Sequence, residues 1–91
     1  MSVIKLQKTL PDGRVTEYHK VLEVIFGEVP GIMTVKLGSY SQLEEAAIQT
    51  QADGTSYINL PYTGTYEEAL TDVIGKVYAL PEWSSGELIT A

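Results

Sequence analysis

Cysteine is absent, histidine, tryptophan and phenylalanine each occur once, and basic residues are half as common as acidic ones. Without thiols there is no disulfide staple and no thiolate metal site, which suits a reducing cytoplasm or an assembled particle better than a small secreted domain. His19 has no second imidazole with which to share zinc, so a zinc site is excluded. Apolar runs such as Val24-Ile25-Phe26 fall far short of the roughly 20 residues that cross a bilayer. Residues Met1 to Lys8 alternate apolar and polar where a secretory signal needs an unbroken apolar stretch, so export by a signal peptide is not expected. The 6 Lys and Arg against 12 Asp and Glu give a formal charge of −6, a poor match for a phosphate backbone. That charge is uneven. Lys5, Lys8, Arg14 and Lys20 lie in the first 20 residues, and beyond residue 40 eight acids face only Lys76.

What is present is ordinary for a small globular domain: 91 residues, 44% of them hydrophobic, enough for one modest core and hence one domain over 1–91. Ile4 and Leu6 alternate with Val3, Lys5 and Gln7, which predicts a strand over 3–9. Pro11-Asp12-Gly13 supplies a fixed φ, a side-chain acceptor and tolerance of positive φ, the ingredients of a tight hairpin turn. A second strand follows over 14–26, in which Tyr18, Leu22, Val24 and Phe26 share a parity that Lys20 breaks. Either a bulge shifts the register near Lys20 or its aliphatic stem lies along the core edge with the ammonium in water. Strand three, over 31–40, places Met33, Val35 and Leu37 on one face, and Tyr57 to Leu60 anchor a fourth over 56–61, ended by Pro61.

Two S/T-x-x-E sequences mark helix starts. Ser41 to Glu44 opens a short helix over 42–51, and Thr65 to Glu68 opens a longer one over 65–80. In the latter, Tyr66, Leu70, Val73, Ile74, Val77 and Leu80 form one apolar stripe that should pack on the sheet. Gly75 inside it costs about 1 kcal/mol against alanine. Residues 82–91 are read as a tail, docked or mobile. The expected fold is α+β: a small antiparallel sheet of three to four strands, one C-terminal helix on one face, and the short second helix as an option.

No constellation for catalysis is visible. Walker, G-x-G-x-x-G, G-x-S-x-G and H-E-x-x-H patterns are all missing. Glu44-Glu45 and Glu67-Glu68 are adjacent on helices and point about 100° apart, so they do not converge on a proton or a metal. Glu68 and Asp72 lie four apart, but Asp72 also has Lys76 at ion-pair spacing, and the solvated-face reading outweighs a cation site. His19 lacks a nucleophile and an orienting group in view, and reads as a half-exposed strand histidine. No enzyme, metal or cofactor is expected.

Apolar residues on the opposite parity of strands two and three, Val21, Ile25, Ile32 and Tyr40, make both sheet faces partly apolar, and one helix covers only one of them. The clustered rings Tyr57, Tyr62 and Trp83 read either as core and edge packing, since strands favour tyrosine, or as interface, since such rings bury large areas and keep a polar tip. In the second reading they join Val21, Ile25, Ile32 and Tyr40 as the expected interface for a protein partner. The N-terminal basic cluster suggests salt-sensitive contact with an acidic neighbour, such as the C-terminal half of another copy.

The segments Tyr18-His19-Lys20-Val21, Val35-Lys36-Leu37-Gly38-Ser39-Tyr40 and Val77-Tyr78-Ala79-Leu80-Pro81-Glu82-Trp83 resemble small proteins encoded in the structural gene clusters of tailed phages and prophages. The similarity spans residues 15–85, is weakest over 42–54, and maps no catalytic residue onto this chain. The resemblance implies a virion-associated or assembly role in tail, fibre or head surface. It sets the expected location as a virion or host cytoplasm, and the expected state as self-associated or docked on a larger assembly, with no nucleic acid and no membrane as partner. The alternative is an acidic phage-encoded inhibitor that presents carboxylates to a host nucleic-acid-binding protein, supported by the acids beyond residue 40.

Overall fold

The computed structural model describes residues 2–27, 30–48 and 51–90. Along the chain run β1 (Ser2–Thr9), β2 (Val15–Phe26), β3 (Ile32–Tyr40), α1 (Leu43–Ala47), β4 (Gly54–Pro61), α2 (Tyr66–Ala69), α3 (Val73–Tyr78) and β5 (Glu87–Thr90). The strands form one five-stranded antiparallel sheet in the order β4-β3-β2-β1-β5. The first four strands are sequential neighbours. The segment after β4 then crosses one face of the sheet and returns as β5 on the outer side of β1.

This corrects the expected architecture. The class remains α+β, but among the described residues the sheet has five strands rather than three to four, and two short helices, α2 and α3, stand where the single C-terminal one was expected, with α1 in the place of the optional short helix. Of the two readings of the 82–91 tail, docked or mobile, residues 87–90 take the docked one, as a strand with Ile89 opposite Val3 and Leu88 opposite Ile4. Gly86 lets that strand dock: a Cβ there would lie 2.7 Å from the Lys5 carbonyl oxygen, and the Tyr78 hydroxyl donates to the Gly86 carbonyl at 2.9 Å.

The helix expected over 65–80 is broken between α2 and α3. Asp72 adopts the left-handed conformation, φ 50° and ψ 50°, and its carboxylate accepts from the Gly75 N–H as the N-cap of α3. Lys76 reaches back to donate to the Glu68 and Ala69 carbonyls, satisfying the end of α2. A Cβ at Gly75 would push the Asp72 carboxylate out of its capping position. The Thr65 cap does form, accepting from Glu68 N–H at 3.2 Å. The Ser41 cap does not. Helix α1 is capped by Gln42 without a side-chain bond, and the Ser41 N–H donates to Asp53 instead. Of the expected 42–51 helix, residues 49 and 50 lie outside the described residues.

The hairpin between β1 and β2 forms as its turn residues require: Gly13 has φ 91°, Asp12 accepts from the Arg14 N–H at 3.1 Å, and Leu10 N–H donates to Arg14 O at 2.7 Å. In β2 a bulge falls between Val21 and Glu23, with Val21 opposite Leu37 and Glu23 opposite Lys36. The parity assignment shifts with it. Val21, Val24 and Phe26 pack into the main core, whereas Tyr18 lies on the other side of the sheet and Leu22 is half exposed.

On the first face, Ile4, Met33, Val35, Leu37 and Leu60 meet Ala69, Val73, Val77 and Trp83 from the crossing segment. Full burial of each large apolar side chain contributes roughly 1.5–3 kcal/mol. On the second face α1 covers one end only: Val3, Tyr40 and Ala46 are buried together. Lys20 is held there, 7% exposed, with Nζ donating to the Ala46 carbonyl at 2.6 Å. Its ammonium is therefore engaged by the C-terminal end of α1 and is mostly withdrawn from solvent.

Gly86→Ala should lower the melting temperature by about 4–16 °C, from the roughly 1–2 kcal/mol of overpacking against a backbone carbonyl that cannot yield. Amide exchange should quicken first at Leu88 and Ile89.

Candidate interaction surface

The sheet register decides which of the expected interface residues reach the surface. Ile25 and Ile32 are 40% and 44% exposed, Tyr57 is 61% exposed, and Leu22, brought outward by the bulge, is 41% exposed. They share the half of the second face that α1 leaves open, because the ladder sets Ile25 against Thr34, and Thr34 against Asn59. Tyr40 is 1% exposed beneath α1, where burial, and after it the Asp53 carboxylate, push its phenol above the ordinary tyrosine value. Val21 faces the helices. Tyr62 is half buried, 5.4 Å edge-on from Phe26 and 6.2 Å from the exposed Tyr66. Trp83 is 3% exposed and belongs to the core. The set that sequence reasoning proposed is thus divided: three members are presented to solvent, Leu22 joins them, and the rest are interior or half interior.

A cleft of about 810 Å³ adjoins this patch, bounded by Leu22, Lys36, Tyr40, Ala47, Thr55 and Ile74 among others. Its described lining holds two lysines and neither a carboxylate nor an imidazole, so it offers no acid–base pair. Among the described residues no cluster of three or more His, Cys, Asp or Glu side chains comes together to hold a metal ion. No described helix is long and apolar enough to cross a membrane.

Four of the six basic residues are engaged within the chain. Lys8 pairs with Glu82 at 2.7 Å and stands 4.3 Å over the Trp83 ring. Arg14 pairs with Asp12 at 2.7 Å and donates to the Asp53 carbonyl at 2.9 Å. With Lys20 and Lys76 also bonded to backbone carbonyls, the N-terminal cluster has few charges left for an acidic neighbour.

His19 is buried, 1% exposed, where sequence reasoning set it half exposed. Its Nε2 lies 2.8 Å from the Leu6 carbonyl and its Nδ1 lies 2.8 Å from the Ser39 hydroxyl. A carbonyl can only accept, so Nε2 carries the proton and Nδ1 accepts from Ser39. The ring also meets Trp83 edge-on at 4.9 Å. Both nitrogens are committed, which makes His19 a packing residue that ties β1 to β2 and β3. The Trp83 indole N–H finds no acceptor among the described residues, a cost of about 1–3 kcal/mol, while the ring itself packs against Lys8 and His19.

Comparison of the chain with protein-family models, with curated proteins and with solved structures finds no match.

Burial holds the His19 imidazole below its ordinary value; the Leu6 carbonyl opposes this and the Lys8 ammonium adds to it. Between the folded value and about 6.5 the unfolded chain binds more protons, so stability rises with pH across that window and is complete above it. Thermal melts should show the melting temperature falling as pH drops below about 6.5. His19→Gln should flatten that part of the profile and leave the carboxylate-driven loss nearer pH 4 in place.

Proposed function

We propose that this chain is a non-enzymatic assembly protein, acting through protein–protein contact as a structural or accessory component of a phage virion. One observation carries the reading. The chain packs α2, α3 and the loop before β5 on the first face of its sheet but covers only one end of the second, so Leu22, Ile25, Ile32 and Tyr57 remain exposed on the paired strands β2, β3 and β4. An apolar patch on an otherwise acidic small domain marks a surface that another protein covers. The virion setting rests on the resemblance of residues 15–85 to proteins of tailed-phage structural clusters. The acids lend less to an inhibitor reading. Glu82 is neutralised by Lys8, Asp53 is bonded to the Ser41 N–H, and Glu44, Glu67 and Glu68 sit in the first turns of helices, where the dipole favours them.

The test is co-sedimentation of the purified chain with particles of the phage or prophage that encodes it, alongside its mass in solution over a concentration series. Association with particles or with itself is expected. Ile25→Glu combined with Ile32→Glu should abolish particle binding while shifting the melting temperature by less than about 4 °C, since both sites are already half solvated. A chain that neither self-associates nor binds particles, yet competes with DNA for a basic host protein, would replace this reading with the inhibitor.

A further inference from the structure

Sheets end in strands whose outer N–H and C=O groups are unpaired, and proteins usually protect such edges with lysine, internal proline, bulges or short length. Among the described residues, four stretches of this sheet have an open side. β5 is four residues long and carries Glu87, the far half of β1, beyond the reach of β5, carries Lys8, and the far half of β2, beyond the reach of β1, carries Glu23. β4 is different. It runs for eight residues, pairs with β3 without a register shift, and has no charged residue. No described strand lies on its outer side. The stretch 54–66 is the longest charge-free run in a chain with 18 charged residues, 12 of them acidic. Two copies of an acidic protein can meet along this strip without setting carboxylate against carboxylate.

The ladder fixes which groups point outward. Tyr62 N–H donates to the Gly31 carbonyl at 2.8 Å, in the same register that pairs Leu60 with Met33 and Ile58 with Val35. Antiparallel pairs alternate between hydrogen-bonded and non-hydrogen-bonded. The N–H groups of Ser56, Ile58 and Leu60 therefore face β3, and those of Thr55, Tyr57 and Asn59 face outward. Pro61 falls on the outward parity as well, where its missing N–H breaks no bond to β3.

We infer that β4 pairs antiparallel with β4 of a second copy across a two-fold axis through Tyr57, joining two five-stranded sheets into one. This rests on the assembly reading above and names its first partner. Centring on Tyr57 sets Thr55 against Asn59 of the other copy, so each outward N–H meets an outward carbonyl and every pair exchanges both bonds. Tyr57 meets its own counterpart on the open face, an aromatic cross-strand pair of the kind that favours strand association. Asp53 falls opposite Pro61 and not opposite another carboxylate, and the ladder ends there because proline has no proton to give. The open halves of the two second faces then lie side by side, doubling the platform that docks on a larger assembly.

The experiment is sedimentation equilibrium on the wild type, Tyr57→Lys, Tyr57→Glu and an equimolar mixture of the two variants. The wild type should reach twice the 10.0 kDa of one chain. Each variant alone should associate at least about tenfold more weakly, through like charges on the axis and the lost ring pair, and the mixture should recover the dimer. Tyr57 is 61% exposed, so the variants should keep the wild-type circular dichroism. Independently of any variant, amide exchange in the wild type should slow with concentration at Thr55, Tyr57 and Asn59 but not at Ser56 or Ile58. Self-association untouched by both variants, or exchange that ignores concentration at those three amides, overturns the β4 ladder and leaves the assembly reading standing. A monomer that still binds particles does the same. A monomer that binds no particle overturns both.

Discussion

A strand alternates its side chains, so twelve residues of β2 would present one unbroken parity to the helices unless a residue were skipped. Leu22 is that residue. The extra position between Val21 and Glu23 lets Val21, Val24 and Phe26 all pack into the main core while Lys20, Glu23 and Ile25 stay on the far side. Gly38 makes room for it: a Cβ on Gly38 would stand 2.8 Å from Leu22 Cδ1. Both the quality of the first face and the apolar character of the open second face follow from one inserted residue and one missing side chain.

Chemistry carried by adjacent residues was legible in the sequence; chemistry carried by distant ones was not. Pro11-Asp12-Gly13 and Thr65 with Glu68 act within their own turns, and both turns form as their residues dictate. The break at Asp72 escaped notice because the apolar stripe runs on through Val73 and Ile74, while the interruption depends on Lys76 reaching back to carbonyls of the preceding helix. β5 escaped because a four-residue strand owes its existence to β1, and nothing local announces it. Ser41 and Glu44 have the letters of a capping box, but Asp53 claims the Ser41 N–H. The same division holds at the candidate surface. Parity alone exposes Ile25 and Ile32, whereas the burial of Tyr40 requires α1 to fold over it, and that of Trp83 requires the loop before β5 to turn inward.

Charge is distributed to match. Four of the six cations are engaged within the chain, by Glu82, by Asp12 and by the carbonyls that end α1 and α2. What remains outside is mainly acidic, interrupted by a neutral strip along β4 and by the apolar half-face beside it. An acidic exterior discourages contact almost everywhere and so confines adhesion to the places it spares.

Ser2 and Thr90 face each other across the β1–β5 ladder, so the earliest and latest strands of the sheet are direct neighbours. Closing so long a loop adds only a logarithmic entropy cost. Polypeptide joined before Ser2 or after Thr90 would leave from the same corner of the molecule, on the margin opposite β4. A fusion at either end would thus hang clear of the neutral margin, and a cut made in a surface loop with the old ends stitched together would return the same sheet.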